Sequence, residues 1–141
     1  MVTTPFFARP ARRWKTSASC AALADAIAVC DEDATVSDIL RFDQPMAAAN
    51  DEGGTRDPVL IYPRLKVIDR VYKTRPYVIV DDVLTSGGHI AAGITILREQ
   101  GADVDLVVCG VSAEKFPVDD PFAKVDRTIP DFDPSLGYWV G

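Results

Sequence analysis

Hydrophobic and polar positions follow their clearest pattern in the second half of the chain. Residues 77–80 form a continuous apolar run rich in β-branched side chains, which predicts a strand covered on both faces. Apolar residues then recur at helical spacing over residues 90–100, and Gly101 follows at the position of a left-handed helix cap. Residues 104–111 form a second, mostly apolar run. This order of strand, helix and strand predicts a right-handed βαβ unit in a parallel sheet.

The pattern in the first half is weaker. Residues 17–29 carry apolar side chains at helical spacing and predict a helix, and residues 37–42 predict a shorter one that ends before Pro45. Residues 2–7 would have to supply any earlier strand. Over residues 43–58 the composition turns to Ala, Asn, acidic residues, Gly and Pro, which predicts a mobile loop. Because long structureless loops in small domains are often lids, we expect this loop to have a function.

Length and composition narrow the class of protein. The 141 residues and the predicted elements indicate one α/β domain over residues 1–141, with a small, twisted, mostly parallel sheet flanked by helices. The net charge of −6 disfavours bulk binding to nucleic acid, although it leaves a local basic patch open. The mean hydropathy is +0.05 and no apolar run approaches membrane-spanning length, so we expect no membrane partner.

The cysteines and the histidine are too few and too scattered for most metal or nucleophile sites. The three cysteines, Cys20, Cys30 and Cys109, are widely spaced, and the single histidine is His89. This set does not suit a structural zinc site, so we expect buried free thiols and a cytoplasmic protein. A Ser-His-Asp hydrolase would need His89 and a G-x-S-x-G turn, and the sequence contains no such turn.

The segment after the first predicted strand of the βαβ unit carries the candidate chemistry. It leaves the carboxyl end of a parallel strand and enters a helix N-terminus, which is where α/β sheets bind ligands. Successive backbone N–H groups, side-chain hydroxyls and the positive end of the helix dipole favour an anion there, and glycines let the anion approach closely. We therefore predict a phosphate cradle made of Thr85, Ser86, Gly87, Gly88 and His89.

An acidic pair, Asp81 and Asp82, stands just before this cradle. Carboxylates are poor partners for a phosphate, so their position beside it predicts another role. They can accept hydrogen bonds from sugar hydroxyls or bind Mg²⁺ through its waters. Each feature alone is typical of a solvated turn, but the two in this order predict a ribose 5-phosphate that carries a metal-bound polyphosphate. The G-x-x-x-x-G-K-[ST] and G-x-G-x-x-G phosphate motifs are absent.

Residues 78–90, Val-Ile-Val-Asp-Asp-Val-Leu-Thr-Ser-Gly-Gly-His-Ile, closely resemble the signature of the type I phosphoribosyltransferases. That signature is an apolar run, two acidic residues, two apolar residues and a Thr/Ser-Gly phosphate loop, and the resemblance extends over residues 77–111. It implies the type I phosphoribosyltransferase fold. It also implies that Asp81 and Asp82 are catalytic-site residues that hold the ribose hydroxyls of phosphoribosyl pyrophosphate (PRPP), and that residues 85–89 wrap its 5-phosphate.

One position departs from the family pattern. The family usually has Thr or Ser where His89 stands, so an imidazole replaces a compact hydroxyl donor. A partly protonated His89 would add positive charge to the phosphate site. The alternative is a histidine that is merely tolerated at the start of the helix.

In this family a second loop, after the first strand, holds the pyrophosphate. The resemblance implies that Arg12, Arg13 and Lys15 play this part, and the alternative is a solvated basic N-terminus. A second basic segment either closes over the pyrophosphate together with the loop at 43–58 or forms a charged surface. Its residues are Arg64, Lys66, Arg70 and Lys73.

The last residues, 116–141, form a tail or a minimal hood over the site. Residues 129–132 and 137–140 weakly resemble the C-terminal base-binding region of hypoxanthine-type phosphoribosyltransferases, where an aromatic ring stacks on the purine. The resemblance implies that Tyr138 or Trp139 stacks on the base. The alternative is an aromatic tail packed on the core or across a homodimer.

The resemblance implies an enzyme that binds PRPP with Mg²⁺ and transfers its phosphoribosyl group to a nitrogenous base, releasing pyrophosphate. No residue is assigned as a direct ligand of the metal. The motif most resembles the ComF-like group, which favours an alternative: a PRPP- or nucleotide-sensing module with little or no turnover, serving regulation or DNA handling. We expect small-molecule partners, PRPP and an unidentified base, and no nucleic acid; a homodimer stays open.

Overall fold

Eight strands and three helices make up the described part of the chain. The computed structural model describes residues 2–3, 18–44, 54–113, 120, 123 and 125–140, with the backbone alone at 2–3 and 138–140. The elements are β1 (Val2–Thr3), α1 (Ala18–Val29), β2 (Val36–Ser37), β3 (Leu40–Phe42), α2 (Pro58–Ile61), β4 (Leu65–Val67), β5 (Pro76–Leu84), α3 (Gly88–Glu99), β6 (Asp103–Ser112), β7 (Asp131–Asp133) and β8 (Tyr138–Val140), and a 3₁₀ turn at Tyr62–Arg64 joins α2 to β4.

The main sheet has four parallel strands in the order β2, β1, β5 and β6. Its longest pair, β5 and β6, stays together from Pro76 opposite Asp103 to Leu84 opposite Ser112, with one irregularity beside Tyr77. Since α3 connects these two strands, the predicted α/β class and the βαβ unit are confirmed. Because the strands are parallel, their carboxyl ends share one edge of the sheet, where α3 begins.

Helices cover both faces of this sheet. Successive residues of a strand point to opposite faces. Accordingly, Ile79 of β5 packs in the main core with Leu97 of α3 and with Leu40, whereas Val80 packs with Ala24 of α1. Ile79 and Val80 are both 0% exposed, as the continuous apolar run predicted.

The predicted helix over residues 37–42 is wrong. This stretch contributes Ser37 to β2 and forms β3, which pairs antiparallel with β4 so that Leu40 faces Val67 and Phe42 faces Leu65. Leu40 and Phe42 are buried while Arg41 is only partly so, which is the two-residue period of a strand. Six residues are too few to separate this period from a helical one, and pairing with β4 decided the outcome.

Other sequence-based expectations agree with the structure where it describes them. The helix predicted over 17–29 is α1, and Gly101 has the left-handed φ of +84° expected of a helix cap. Of the predicted strand over 2–7, Val2–Thr3 is β1 and the rest lies outside the described residues. Most of the loop predicted over 43–58 also lies outside them.

The cysteines are free, but they are not uniformly buried. Cys20 is buried and Cys109 partly so, whereas Cys30 is exposed. The expectation of buried thiols is therefore wrong for Cys30, because it follows the last turn of α1 at the surface.

A hairpin of β7 and β8 closes the described part of the fold. The hydroxyl of Thr95 donates to the carbonyl oxygen of Phe132 at 2.9 Å, and Arg98 forms an ion pair with Asp131 at 3.0 Å. Phe132 itself is buried against the ring of Tyr62. The C-terminal segment thus packs on α3. Within the described residues, no helix is long and apolar enough to cross a membrane.

Candidate functional site

The acidic pair lies within β5, not in the loop that follows it. The sequence indicated that the strand ends at residue 80, but it continues to Leu84, and Asp81 pairs with Cys109 of β6. The parallel ladder with β6 supplies backbone partners that an isolated strand lacks, which explains the extra length. Asp81 is 2% exposed and Asp82 is partly buried, so the two carboxyl groups face different surroundings.

The first turn of α1 contacts both carboxyl groups. The Cys20 thiol donates to Asp81 Oδ1 at 3.7 Å, and the Ser19 hydroxyl donates to Asp82 Oδ2 at 2.7 Å. The backbone N–H of Asp82 also donates to Asp81 Oδ1, at 2.8 Å. Sequence reasoning missed Ser19 and Cys20, because the contacts span more than sixty residues and no local pattern marks them.

Burial changes the charge of this cluster. Burial, and after it the negative charge of Asp82, raise the pKa of Asp81 from 3.8 to about 8. The same two causes, burial first and then the charges of Asp81 and Asp82, raise the pKa of the Cys109 thiol to about 12. Near pH 7 Asp81 is therefore mainly a neutral carboxyl group. Such a group both donates and accepts hydrogen bonds, which suits a sugar hydroxyl.

The segment between β5 and α3 has unsatisfied donors at the start of the helix. Gly87 adopts a left-handed φ of +83° as the residue before α3, a conformation that favours glycine. The backbone N–H groups of Ser86, Gly87 and Gly88 have no hydrogen-bond acceptor among the described residues. Together with the helix dipole, these donors favour an anion at this position.

Two distant segments hold this loop from either side. A Cβ atom on Gly88 would lie 1.8 Å from the carbonyl oxygen of Arg56, and one on Gly87 would lie 3.2 Å from Cδ1 of Ile129. Gly88 therefore lets residues 54–57 pack directly on the start of α3. In the sequence, Gly87 and Gly88 were predicted to let a phosphate approach the loop. The sequence could not show that the backbone of Arg56 also approaches Gly88.

His89 brings no positive charge to the loop. Its ring packs edge-on against Phe42 with 6.0 Å between ring centres. Burial, and after it the positive charge of Arg56, lower the pKa of His89 to about 4. At neutral pH the imidazole is thus neutral. The expectation that a partly protonated His89 adds positive charge to the phosphate site is therefore not met.

Two arginines from outside the motif belong to segments that contact the loop or the end of β6. Arg56 approaches Gly88 through its carbonyl oxygen, and Arg127 Nη1 lies 3.5 Å from the hydroxyl oxygen of Ser112. Ser112 ends β6 opposite Leu84, the last residue of β5. Sequence reasoning missed both arginines, since each stands in a segment without a recognisable motif.

The basic segment at residues 64–73 includes the end of the 3₁₀ turn and β4. Just before it, the hydroxyl of Tyr62 donates to Glu99 at the C-terminal end of α3, and the side chain of Lys73 approaches Gly101. Both contacts are at the amino-terminal edge of the sheet. The start of the segment instead pairs beside Phe42, which packs on His89, because Leu65 lies opposite Phe42. Closure of this segment over a pyrophosphate stays a prediction. Its basic side chains are exposed, and they are Arg64, Lys66, Arg70 and Lys73.

The other predicted site residues have no described side chains. Arg12, Arg13 and Lys15 lie outside the described residues. Tyr138 and Trp139 belong to β8, where Trp139 pairs with Phe132 of β7, and their side chains are not described. The pyrophosphate and base-stacking roles stay predictions.

One group of side chains near the site could hold a metal ion. Ligand atoms of Cys20, Asp81 and Asp82 lie within 4.8 Å of one another. The carboxylate oxygens are the ligands that Mg²⁺ prefers, whereas a thiol suits softer ions.

We find no match to the chain among protein-family models, curated proteins or solved structures.

Proposed function

We propose that the protein binds PRPP with its Mg²⁺ ion and transfers the phosphoribosyl group to a nitrogenous base, releasing pyrophosphate. One observation carries this proposal: an acidic pair near the end of a central parallel strand lies next to a helix N-terminus with unsatisfied N–H groups. A sugar phosphate needs both parts, hydrogen-bonding groups for its hydroxyls and donors for its phosphate. The likeness of residues 78–90 to the type I phosphoribosyltransferase signature supports the same function.

The two carboxyl groups have different tasks in this proposal. Asp82, charged and partly exposed, accepts hydrogen bonds from the ribose hydroxyls, while the neutral carboxyl group of Asp81 donates one. Ser19 and Cys20 hold these side chains in place from α1. PRPP arrives with Mg²⁺ on its pyrophosphate, so the ion belongs to the substrate, and the oxygen donors of the pair fit it better than the thiol does.

The reaction itself depends on positioning. The bond between the anomeric carbon and the pyrophosphate oxygen breaks, the bond to the base nitrogen forms, and the proton of that nitrogen goes to solvent. Holding the sugar at two points aligns the base behind the anomeric carbon, and cations stabilise the departing pyrophosphate. In this proposal Arg12, Arg13 and Lys15 supply these cations, as the resemblance implies.

Asp82→Asn tests the ribose-binding role. We expect PRPP affinity in the presence of Mg²⁺ to fall roughly tenfold to a hundredfold, because a charge-assisted hydrogen bond is lost. Isothermal calorimetry measures this change. Asp69→Asn removes an exposed carboxylate in the connection between β4 and β5, and should leave the affinity unchanged.

A wild-type protein that does not bind PRPP would contradict the proposal. If PRPP binds, pyrophosphate release is then screened against purine and pyrimidine bases. Release with one base identifies the acceptor, whereas binding without release across all bases favours the sensing alternative.

A further inference from the structure

We propose that Arg127, which lies outside the phosphoribosyltransferase-like motif, supplies the positive charge for the phosphate group held by residues 85–88. This inference rests on the proposed function. It adds a residue from the segment before β7 to a site that the motif describes only in part.

The loop itself lacks a cation. Residues 85–88 are uncharged, and the one ionisable side chain that follows, His89, is neutral at pH 7 because burial lowers its pKa to about 4. A phosphate monoester carries a charge of about −1.5 to −2 at this pH. Backbone N–H groups and the helix dipole supply only about half a positive charge. The loop alone therefore does not balance the charge of a dianion, and a nearby cation would strengthen its binding.

Two contacts bring the segment around Arg127 to this loop. Nη1 of Arg127 lies 3.5 Å from the hydroxyl oxygen of Ser112, and Ser112 pairs with Leu84 across the β5–β6 ladder. The chain after β6 stays close as well, since the N–H of Ala113 donates to the carbonyl oxygen of Leu84 at 2.7 Å. The residue that the guanidinium group contacts is therefore the strand neighbour of the last residue before the loop.

Ile129 provides the second contact. Its Cδ1 atom lies 3.2 Å from the position of a Cβ on Gly87, which is the residue before α3. The chain thus passes over the loop within two residues of Arg127. The Arg127 side chain is exposed, and a guanidinium group can bind a phosphate through two parallel hydrogen bonds. Ser112 acts as the positioning residue.

Arg56 is the competing source of charge. Its carbonyl oxygen packs on Gly88, and its charge reaches His89. Its backbone lies at the side of the loop covered by residues 54–57, whereas Arg127 lies beside the end of β6. Comparing the two single variants separates their roles.

The test is calorimetry with ribose 5-phosphate on the full chain. We expect Arg127→Ala to weaken binding roughly tenfold or more, and Arg127→Lys to restore only part of the loss, because an ammonium group keeps the charge without the paired hydrogen bonds. Arg75→Ala removes an exposed arginine before β5, at the opposite edge of the sheet, and should change the affinity less than about twofold. Circular dichroism checks that each variant is folded.

The outcomes are distinguishable. If the wild type binds ribose 5-phosphate and Arg127→Ala binds it equally well, the role of Arg127 is overturned while the proposed function stands. A loss in Arg56→Ala alone would assign the charge to the other side of the loop and also overturns this inference. If the wild type binds neither PRPP nor ribose 5-phosphate, the proposed function itself fails.

Discussion

Asp81→Asn should have a larger free energy of unfolding than the wild type at pH 8. The difference between the two proteins should be roughly 3–4 kcal/mol larger at pH 8 than at pH 5. In the folded protein, burial and the charge of Asp82 raise the pKa of Asp81 from 3.8 to about 8. In the unfolded chain the group ionises near its ordinary pKa. Between these two pKa values only the unfolded state loses the proton. The free energy of unfolding therefore falls by about 1.4 kcal/mol per pH unit.

The sign follows from the direction of the shift. The contribution of Asp81 to stability is fully present below the unfolded pKa, near pH 4, and is lost as the pH rises through about 8. An amide at position 81 does not titrate, so its stability curve lacks this decline. Urea unfolding of both proteins at intervals from pH 5 to pH 9 measures the difference.

The control is Asp69→Asn, the same substitution at an exposed position. Because Asp69 is exposed, this variant shows how much of the change comes from replacing an aspartate outside the buried site. Parallel curves for the wild type and Asp81→Asn would show that Asp81 is ionised in the folded protein. The proposed hydrogen-bond donor to the ribose would then be lost from the site.

Replacing Gly88 by alanine should destabilise the protein by about 1–3 kcal/mol. The new Cβ atom would lie 1.8 Å from the carbonyl oxygen and 2.9 Å from the carbonyl carbon of Arg56. Both are backbone atoms, so residues 54–57 must move away from the start of α3. This loss opposes the gain of up to about 1 kcal/mol that alanine brings to a helix.

Gly93→Ala is the matched control in the same helix. Its Cβ atom would make ordinary contacts, 3.4 Å from Leu40 Cδ1 and 3.7 Å from Ile79 Cδ1, so its stability should stay equal or rise slightly. Hydrogen exchange of residues 54–62 provides a local measurement, and only Gly88→Ala should lower the protection there. If both variants are equally stable, the packing of residues 54–57 on α3 contributes nothing measurable.

Much of the fold near the site was predictable because its signals are local. The strand from residue 77, the helix after Gly87 and the cap at Gly101 follow from periodicity and glycine conformation within about ten neighbouring residues. The helix predicted over residues 37–42 failed for the opposite reason. That short segment has no decisive period of its own, and its structure depends on pairing with β4.

The contacts of the site with the rest of the chain were not predictable. Ser19 and Cys20 reach the acidic pair from more than sixty residues away, and Ile129 reaches the loop from about forty. Neither has a sequence pattern that marks it for this position. Long-range packing of the sheet and the C-terminal segment brings them there.

The sequence by itself determined the chemical types at the site: two adjacent carboxyl groups, a glycine-containing loop and a helix start, in a fixed order along the chain. Only the tertiary structure decided their charges and neighbours. Asp81 is mainly protonated and His89 is neutral at pH 7, because burial removes the water that would stabilise their ions. Charge depends on the whole surrounding fold, whereas residue order depends on the chain alone.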